Sequence, residues 1–174
     1  MRTLKDRKVL VTGGSSGIGA ATVRALRESG CEVAALGRSR DRLAEVCNAS
    51  GAGPAAADLA DEPAVQVAVT AAAERLGGLD AVVNNAGLML HSRPSAGVSS
   101  DWRQMVDVNV LALLRVTHAA LPNLEAADQG DVVNVGDRGG SDERRGLHAL
   151  LRHQGGGRAA DGGLAPRPRR EGSA

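Results

Sequence analysis

The run Thr12-Gly13-Gly14-Ser15-Ser16-Gly17-Ile18-Gly19 follows at once on Lys8-Val9-Leu10-Val11-Thr12, and this junction constrains the fold more than any other feature of the chain. The residues before the glycines are apolar and Val-rich, as in a strand buried on both faces. The stretch after them, Ile18 to Ser29, carries Ala21, Val23 and Leu26 at helical spacing and stops at Gly30. A glycine-rich turn between a strand and a helix is where phosphate lies against backbone amides. Gly13 permits the tight turn, Gly17 leaves room for a pyrophosphate to approach the backbone, and Gly19 lets the helix pack close to the sheet. Ser15, Ser16 and Ile18 complete the loop. The helix start adds free N–H groups and partial positive charge. The duller reading is a purely structural glycine turn, and the placement between strand and helix argues against it.

The same alternation continues to Val135. Further strands are expected at Cys31 to Leu36, Leu79 to Asn84 and Asp131 to Val135, with a weaker one at Ala55 to Asp58. Helices are expected at Asp41 to Asn48, Glu62 to Leu76 and along a long stretch near Ser100 to Leu124. Alternating β and α elements with right-handed crossovers make a doubly wound, parallel α/β sheet of about five strands. Trp102, near the start of the long helix, is expected as a core or groove anchor, and His118 within it as structural or exposed.

Residues 136–174 differ in kind. They contain ten Gly and eight Arg and no Val, Ile, Met, Phe or Tyr. Such a stretch buries too little apolar surface to offset its chain entropy. The division is therefore residues 1–136 as a Rossmann-like dinucleotide-binding domain and 137–174 as a disordered tail. The Arg-Pro-Arg-Arg run of that tail is a candidate contact for nucleic acid or an acidic protein, the weakest of the functional readings. The net charge of +1 points to no nucleic-acid partner for the chain as a whole. No stretch of 18 apolar residues is present and the charged N-terminus has no secretory pattern, so the expectation is a cytoplasmic protein without a membrane span. Cys31 and Cys47 read as free thiols rather than a disulfide or metal pair. His91, His118, His148 and His153 show no ligand spacing, so no metal is expected.

The glycine spacing, Thr-Gly-x-x-x-Gly-x-Gly, resembles that of the short-chain dehydrogenase/reductase family, and further motifs follow in that family's order. Asp58, with Leu59, matches the acidic position near the adenine. Asn84-Asn85-Ala86-Gly87 matches the Asn-Asn-Ala-Gly motif, which assigns Asn85, Ala86 and Gly87 to the cofactor. Asn109 matches the helical Asn of the catalytic set. Asp131-Val132-Val133-Asn134-Val135 matches the strand leading to the catalytic Ser. Each has a duller reading: Asp58 as a helix cap, Asn85 and Gly87 as turn formers, Asn109 as a buried, satisfied amide. Together and in order they favour the functional one. At the end of the second strand, where an Asp binds the ribose 2′-hydroxyl, the resemblance places Gly37 with Arg38 next. A guanidinium suits a 2′-phosphate, so NADP(H) is favoured over NAD(H). The duller reading of Arg38, and of Arg40 beyond it, is an exposed charge at a helix start. The stretch after the Asn-Asn-Ala-Gly motif flanks the substrate in the family, which brings in Leu88, Met89 and Leu90.

The resemblance implies a hydride-transferring oxidoreductase acting on a small carbonyl or secondary alcohol, commonly as a homo-oligomer. It also implies a Ser and a Tyr-x-x-x-Lys pair for proton transfer. The chain has no Tyr, its Lys residues stop at Lys8, and Asp137 stands where the Ser belongs. A frame change would account for this, with codons chosen among the degenerate ones. Leu150 to Arg158 back-translated as CTA CTC CGC CAC CAA GGC GGC GGT CGC and read one nucleotide on gives Tyr-Ser-Ala-Thr-Lys-Ala-Ala-Val. Asp137 to Gly140 as GAT CGC GGG GGC gives Ile-Ala-Gly in the same shifted frame. The expectation is a sheet incomplete at its C-terminal side, with an exposed apolar edge, a doubtful oligomer, and Asn109 as the remaining catalytic member. The alternative to an active oxidoreductase is a remnant that binds cofactor without turnover.

Overall fold

A computed structural model describes residues 4–90 and 99–136. The elements are β1 (Lys8–Thr12), α1 (Gly17–Glu28), β2 (Glu32–Gly37), α2 (Arg40–Ser50), β3 (Gly53–Ala56), α3 (Glu62–Leu76), β4 (Ala81–Asn84), α4 (Ser99–Val106), a π-helical turn (Asp107–Leu111), α5 (Ala112–Ala126) and β5 (Asp131–Asn134). The strands form one parallel sheet in the order β3-β2-β1-β4-β5. The doubly wound fold read from the sequence is thus present.

Strand side chains alternate between two cores. Val9, Val11, Val33 and Ala35 meet Val23, Leu43 and Val46 of α1 and α2. Leu10, Leu36 and Val82 meet Val65, Val69, Val116 and Ala120 of α3 and α5 on the other face. A fully buried Leu or Val contributes on the order of 1.5–3 kcal/mol, which is how a core without Phe or Tyr holds.

Helix ends follow local chemistry. Ser39 caps α2 by accepting from the Arg42 N–H, and Asp61 caps α3 by accepting from the Ala64 N–H. Asp58 is therefore not the cap of α3; its carboxylate closes its own turn by accepting from the Ala60 N–H at 3.0 Å. The weak third strand begins two residues earlier than expected, at Gly53, because an edge position tolerates Pro54.

The long helix is a 28-residue run, Ser99–Ala126, interrupted by the π turn. By length and composition alone it is apolar enough to cross a membrane, which the absence of an uninterrupted apolar stretch did not anticipate. Its inner face, including Ala112, Val116, Ala119, Ala120 and Leu124, is buried in the protein core. Trp102 is 54% exposed and is no core anchor, because the buried residues of this run begin only at Ala112. His118 is exposed.

Two polar ties seat β5 at the sheet edge. Arg7 Nη1 donates to Asp131 Oδ2 at 2.7 Å, while Nη2 donates to the carbonyls of Asp80 and Gln129, both at 2.9 Å. Asn84, almost fully buried, donates through Nδ2 to Thr117 Oγ1 at 3.0 Å and to Asn134 Oδ1 at 2.9 Å. Among the described residues β5 pairs only with β4, and Val133 within it and Val135 just after it are exposed. The expected disorder of 137–174 falls outside the described residues.

An open apolar edge promotes association. The 174-residue chain should scatter light as it is concentrated, and Val133→Lys with Val135→Lys should raise the concentration at which scattering begins. Clear wild-type solutions at the same concentration would contradict the exposed edge.

Candidate functional site

β1 and β4 are neighbours, but their following connections run to opposite faces of the sheet. A parallel sheet opens a crevice at the carboxyl ends of its strands where this happens. Thr12, at the end of β1, ties the crevice together. Its buried Oγ1 accepts from the Asn85 and Ala86 N–H groups, both at 3.0 Å, and donates to the Val83 carbonyl at 3.4 Å. Asn85 Nδ2 returns a bond to the Thr12 carbonyl at 3.1 Å. The Asn-Asn-Ala-Gly segment is thus pinned against the glycine loop.

The loop adopts a conformation that only glycine takes easily at two points, Gly13 at φ +66° and Gly17 at φ +53°. A Cβ on Gly17 would meet nothing within 4 Å, so its surroundings are open. Gly19 is different. A Cβ there would lie 2.2 Å from the Gly13 carbonyl oxygen and 2.6 Å from Asn85 Nδ2. The sequence reading assigned Gly19 to helix–sheet packing, whereas the close neighbours are the loop's own carbonyl and the Asn85 amide. Helix α1 has no side-chain cap from Ser16, and its first intrahelical bond runs from the Ala20 N–H to the Ser16 carbonyl. The amides of Gly17, Ile18 and Gly19 precede that ladder and are available to an anion.

All the residues expected to hold cofactor line one cleft of about 440 Å³: Gly13, Ser15, Ser16, Gly17, Ile18, Gly19, Arg38, Asp58, Leu59, Asn85, Ala86 and Gly87. The same cleft is lined by Gly37, Ser39, Arg42, Leu88 and Val108. Arg42 went unnoticed in the sequence. Its signal is the Ser39 cap, which turns the chain so that the first turn of α2 lies beside Arg38. Both arginines are exposed at the cleft. A dinucleotide fits this donor set, with backbone amides and an open glycine at the loop and two guanidiniums, Arg38 just after β2 and Arg42 in the first turn of α2.

Asn109 stands in the π turn, beside rather than on the cleft wall. Its Oδ1 accepts from the Leu88 N–H and its Nδ2 donates to the Leu88 carbonyl, both at 2.8 Å. It is satisfied but exposed, not buried as the duller reading had it. Met89 is 70% exposed. His91, Asp137, Ser141, His148 and His153 lie outside the described residues. Among the described residues no group of His, Cys, Asp or Glu is arranged to hold a metal.

Cys31 and Cys47 are free and buried, away from the cleft. Burial pushes both thiols above their ordinary value of 9.0, offset in part by Arg7 and Arg27 near Cys31 and by Arg75 near Cys47. Cys31 Sγ donates to the Leu4 carbonyl at 3.1 Å.

Two predictions follow from this geometry. Gly19→Ala should cost about 1–3 kcal/mol because its neighbours include backbone, whereas Gly17→Ala should cost about 1 kcal/mol from its φ alone. Urea midpoints of the two variants compare them, and equal losses would refute the distinction. The thiols should resist a disulfide reagent until the protein unfolds. Because their folded pKa is raised, stability is intact below about pH 9 and falls as the pH climbs beyond it. A urea midpoint that holds steady through that alkaline range would count against burial of the thiols.

The family model described as short chain dehydrogenase matches residues 7–149, running past Gly136. A Haemophilus influenzae protein named "Probable NADP-dependent dehydrogenase" is 37% identical over 141 residues, covering 79% of this chain and 56% of that protein. The chain thus spans little more than half the length of this relative. A double mutant of a Serratia marcescens short-chain dehydrogenase/reductase superposes with a TM-score of 0.73 at 32% identity, covering 79% of this chain and 58% of the other. A Burkholderia cenocepacia short chain dehydrogenase solved in complex with NADP gives a TM-score of 0.70 at 35% identity, with the same two coverages, 79% and 58%. A glycine loop at the switch point of a parallel sheet, in the family's own motif order, agrees with these likenesses: the chain belongs to the short chain dehydrogenase family.

Proposed function

We propose that this chain binds NADP(H) in the cleft and forms the cofactor-holding part of an oxidoreductase that interconverts a small carbonyl compound and a secondary alcohol. The observation that carries the reading is the pairing of an open glycine loop with two exposed guanidiniums, Arg38 and Arg42, on one cleft. No acidic side chain ends β2, where Gly37 stands. The NADP in the name of the Haemophilus influenzae relative and in the Burkholderia cenocepacia complex supports the same choice.

The bound nicotinamide would supply the hydride chemistry. The chain's own residues would bind and orient. The amides of Gly17, Ile18 and Gly19 receive the pyrophosphate, Arg38 and Arg42 receive the 2′-phosphate, and Asp58 and Leu59 border the adenine. Asn109, the remaining member of the catalytic set, holds the Leu88 backbone beside the cleft. A cytoplasmic location and a homo-oligomer belong to the same proposal. Val106, Val110 and Leu114, each at least half exposed at four-residue spacing along the long helix, offer a surface for assembly.

A second reading is favoured by one fact: the 174 residues include no Tyr. Without that proton donor the chain binds cofactor and does not turn over. The chain should bind adenosine 2′,5′-bisphosphate at least roughly tenfold tighter than 5′-AMP, and Arg38→Ala with Arg42→Ala should erase the difference. Calorimetry decides this, and equal affinities in the wild type would overturn the NADP assignment. NADPH consumption with a panel of aldehydes and ketones then separates the two readings, since any turnover rejects the binding-only one.

A further inference from the structure

Resting on the cofactor reading, we propose that Arg115 is a positioning residue that fixes the gap between two walls of the cleft on its adenine side. Arg115 lies on α5, outside the cleft lining, with its side chain 20% exposed. Helical side chains lean toward the helix N-terminus, so its guanidinium reaches back toward the π turn. Nη2 stands 3.7 Å from Asp107 Oδ1, at the first residue of that turn. Nη1 donates to the Leu59 carbonyl at 3.4 Å. Nε stands 3.9 Å from Glu62 Oε2, at the start of α3.

One planar cation therefore joins the β3–α3 loop to the π turn. Leu59 on one side and Val108, next to Asp107, on the other both line the cleft. Neither wall is otherwise tied to the other by a side-chain hydrogen bond among the described residues. Each contact is long and weak alone, but a guanidinium holds several acceptors in a fixed plane. A flat base between these walls depends on their separation, whereas the pyrophosphate on the glycine loop does not.

The test uses the full chain and two probes, NADP+ and inorganic pyrophosphate. Arg115→Met keeps the stem and removes the charge. It should weaken NADP+ binding roughly three- to fivefold and leave pyrophosphate affinity unchanged. Arg115→Lys should recover part of the loss. Asp107→Asn, which loosens the same tie from its other end, should repeat the effect if Arg115→Met fails to fold. Unchanged NADP+ affinity in both variants overturns the proposal. Parallel losses for both probes together with a lowered melting temperature also overturn it, since that marks a general structural role. A wild-type chain that binds neither probe overturns the cofactor reading itself, and the assignment of Arg115 falls with it.

Discussion

The site depends on the side chain of Thr12. Its hydroxyl is buried at the end of β1, and it answers two amides and one carbonyl of the β4 end at once. A buried hydroxyl with its hydrogen bonds filled costs little, while each amide left without a partner would cost on the order of 1–3 kcal/mol. The Asn85 amide closes the same ring from the other side. Gly19 then fits because no side chain stands between the Gly13 carbonyl and Asn85. The glycine loop, the Asn-Asn-Ala-Gly segment and the start of α1 are one hydrogen-bonded unit rather than three adjoining motifs.

That unit explains why so much was legible in the sequence. Strands buried on both faces are written as unbroken Val, Leu and Ala runs, and β1 was read residue for residue. Helix α3 runs over the expected Glu62 to Leu76, its ends set in the structure by the Asp61 cap and by Gly77 in the left-handed conformation. The cleft residues were legible because each motif ends a strand, and parallel strands bring their carboxyl ends to one edge. Proximity along the sheet edge did the assembling that sequence distance conceals.

The parts that escaped reading share a physical cause. The π turn at Asp107–Leu111 has no propensity signature, since it coincides with Asn109 bonding both backbone groups of Leu88, a partner 21 residues away. Arg42 escaped because its relevance comes from the bend at the Ser39 cap rather than from its spacing. Trp102 was misjudged because a large apolar residue near a helix start is usually buried, and here the described neighbours leave it open. Asp58 and Asp61 exchanged the capping role for a similar reason: both precede α3, and only the turn geometry tells which carboxylate reaches the helix amides.

Parallel topology also sets the cleft apart, along the chain, from the stretch where the family places its proton-transfer residues. Among the described residues the cleft walls come from β1, β2, β3, β4 and the segments that follow them, with Val108 the sole contribution from the long helix. The family's Ser, Tyr and Lys belong after β5, whose own role here is to close the sheet beside β4 through Arg7 and Asn84. A chain ordered through β5 therefore brings all the cleft-lining residues together ahead of the stretch where the family places its Ser, Tyr and Lys. Asn109 bridges the two parts, since it sits on the long helix yet holds the backbone that borders the cleft. On the proposed reading, cofactor affinity and turnover would for this reason be separable, and a chain with no Tyr would keep the first without the second.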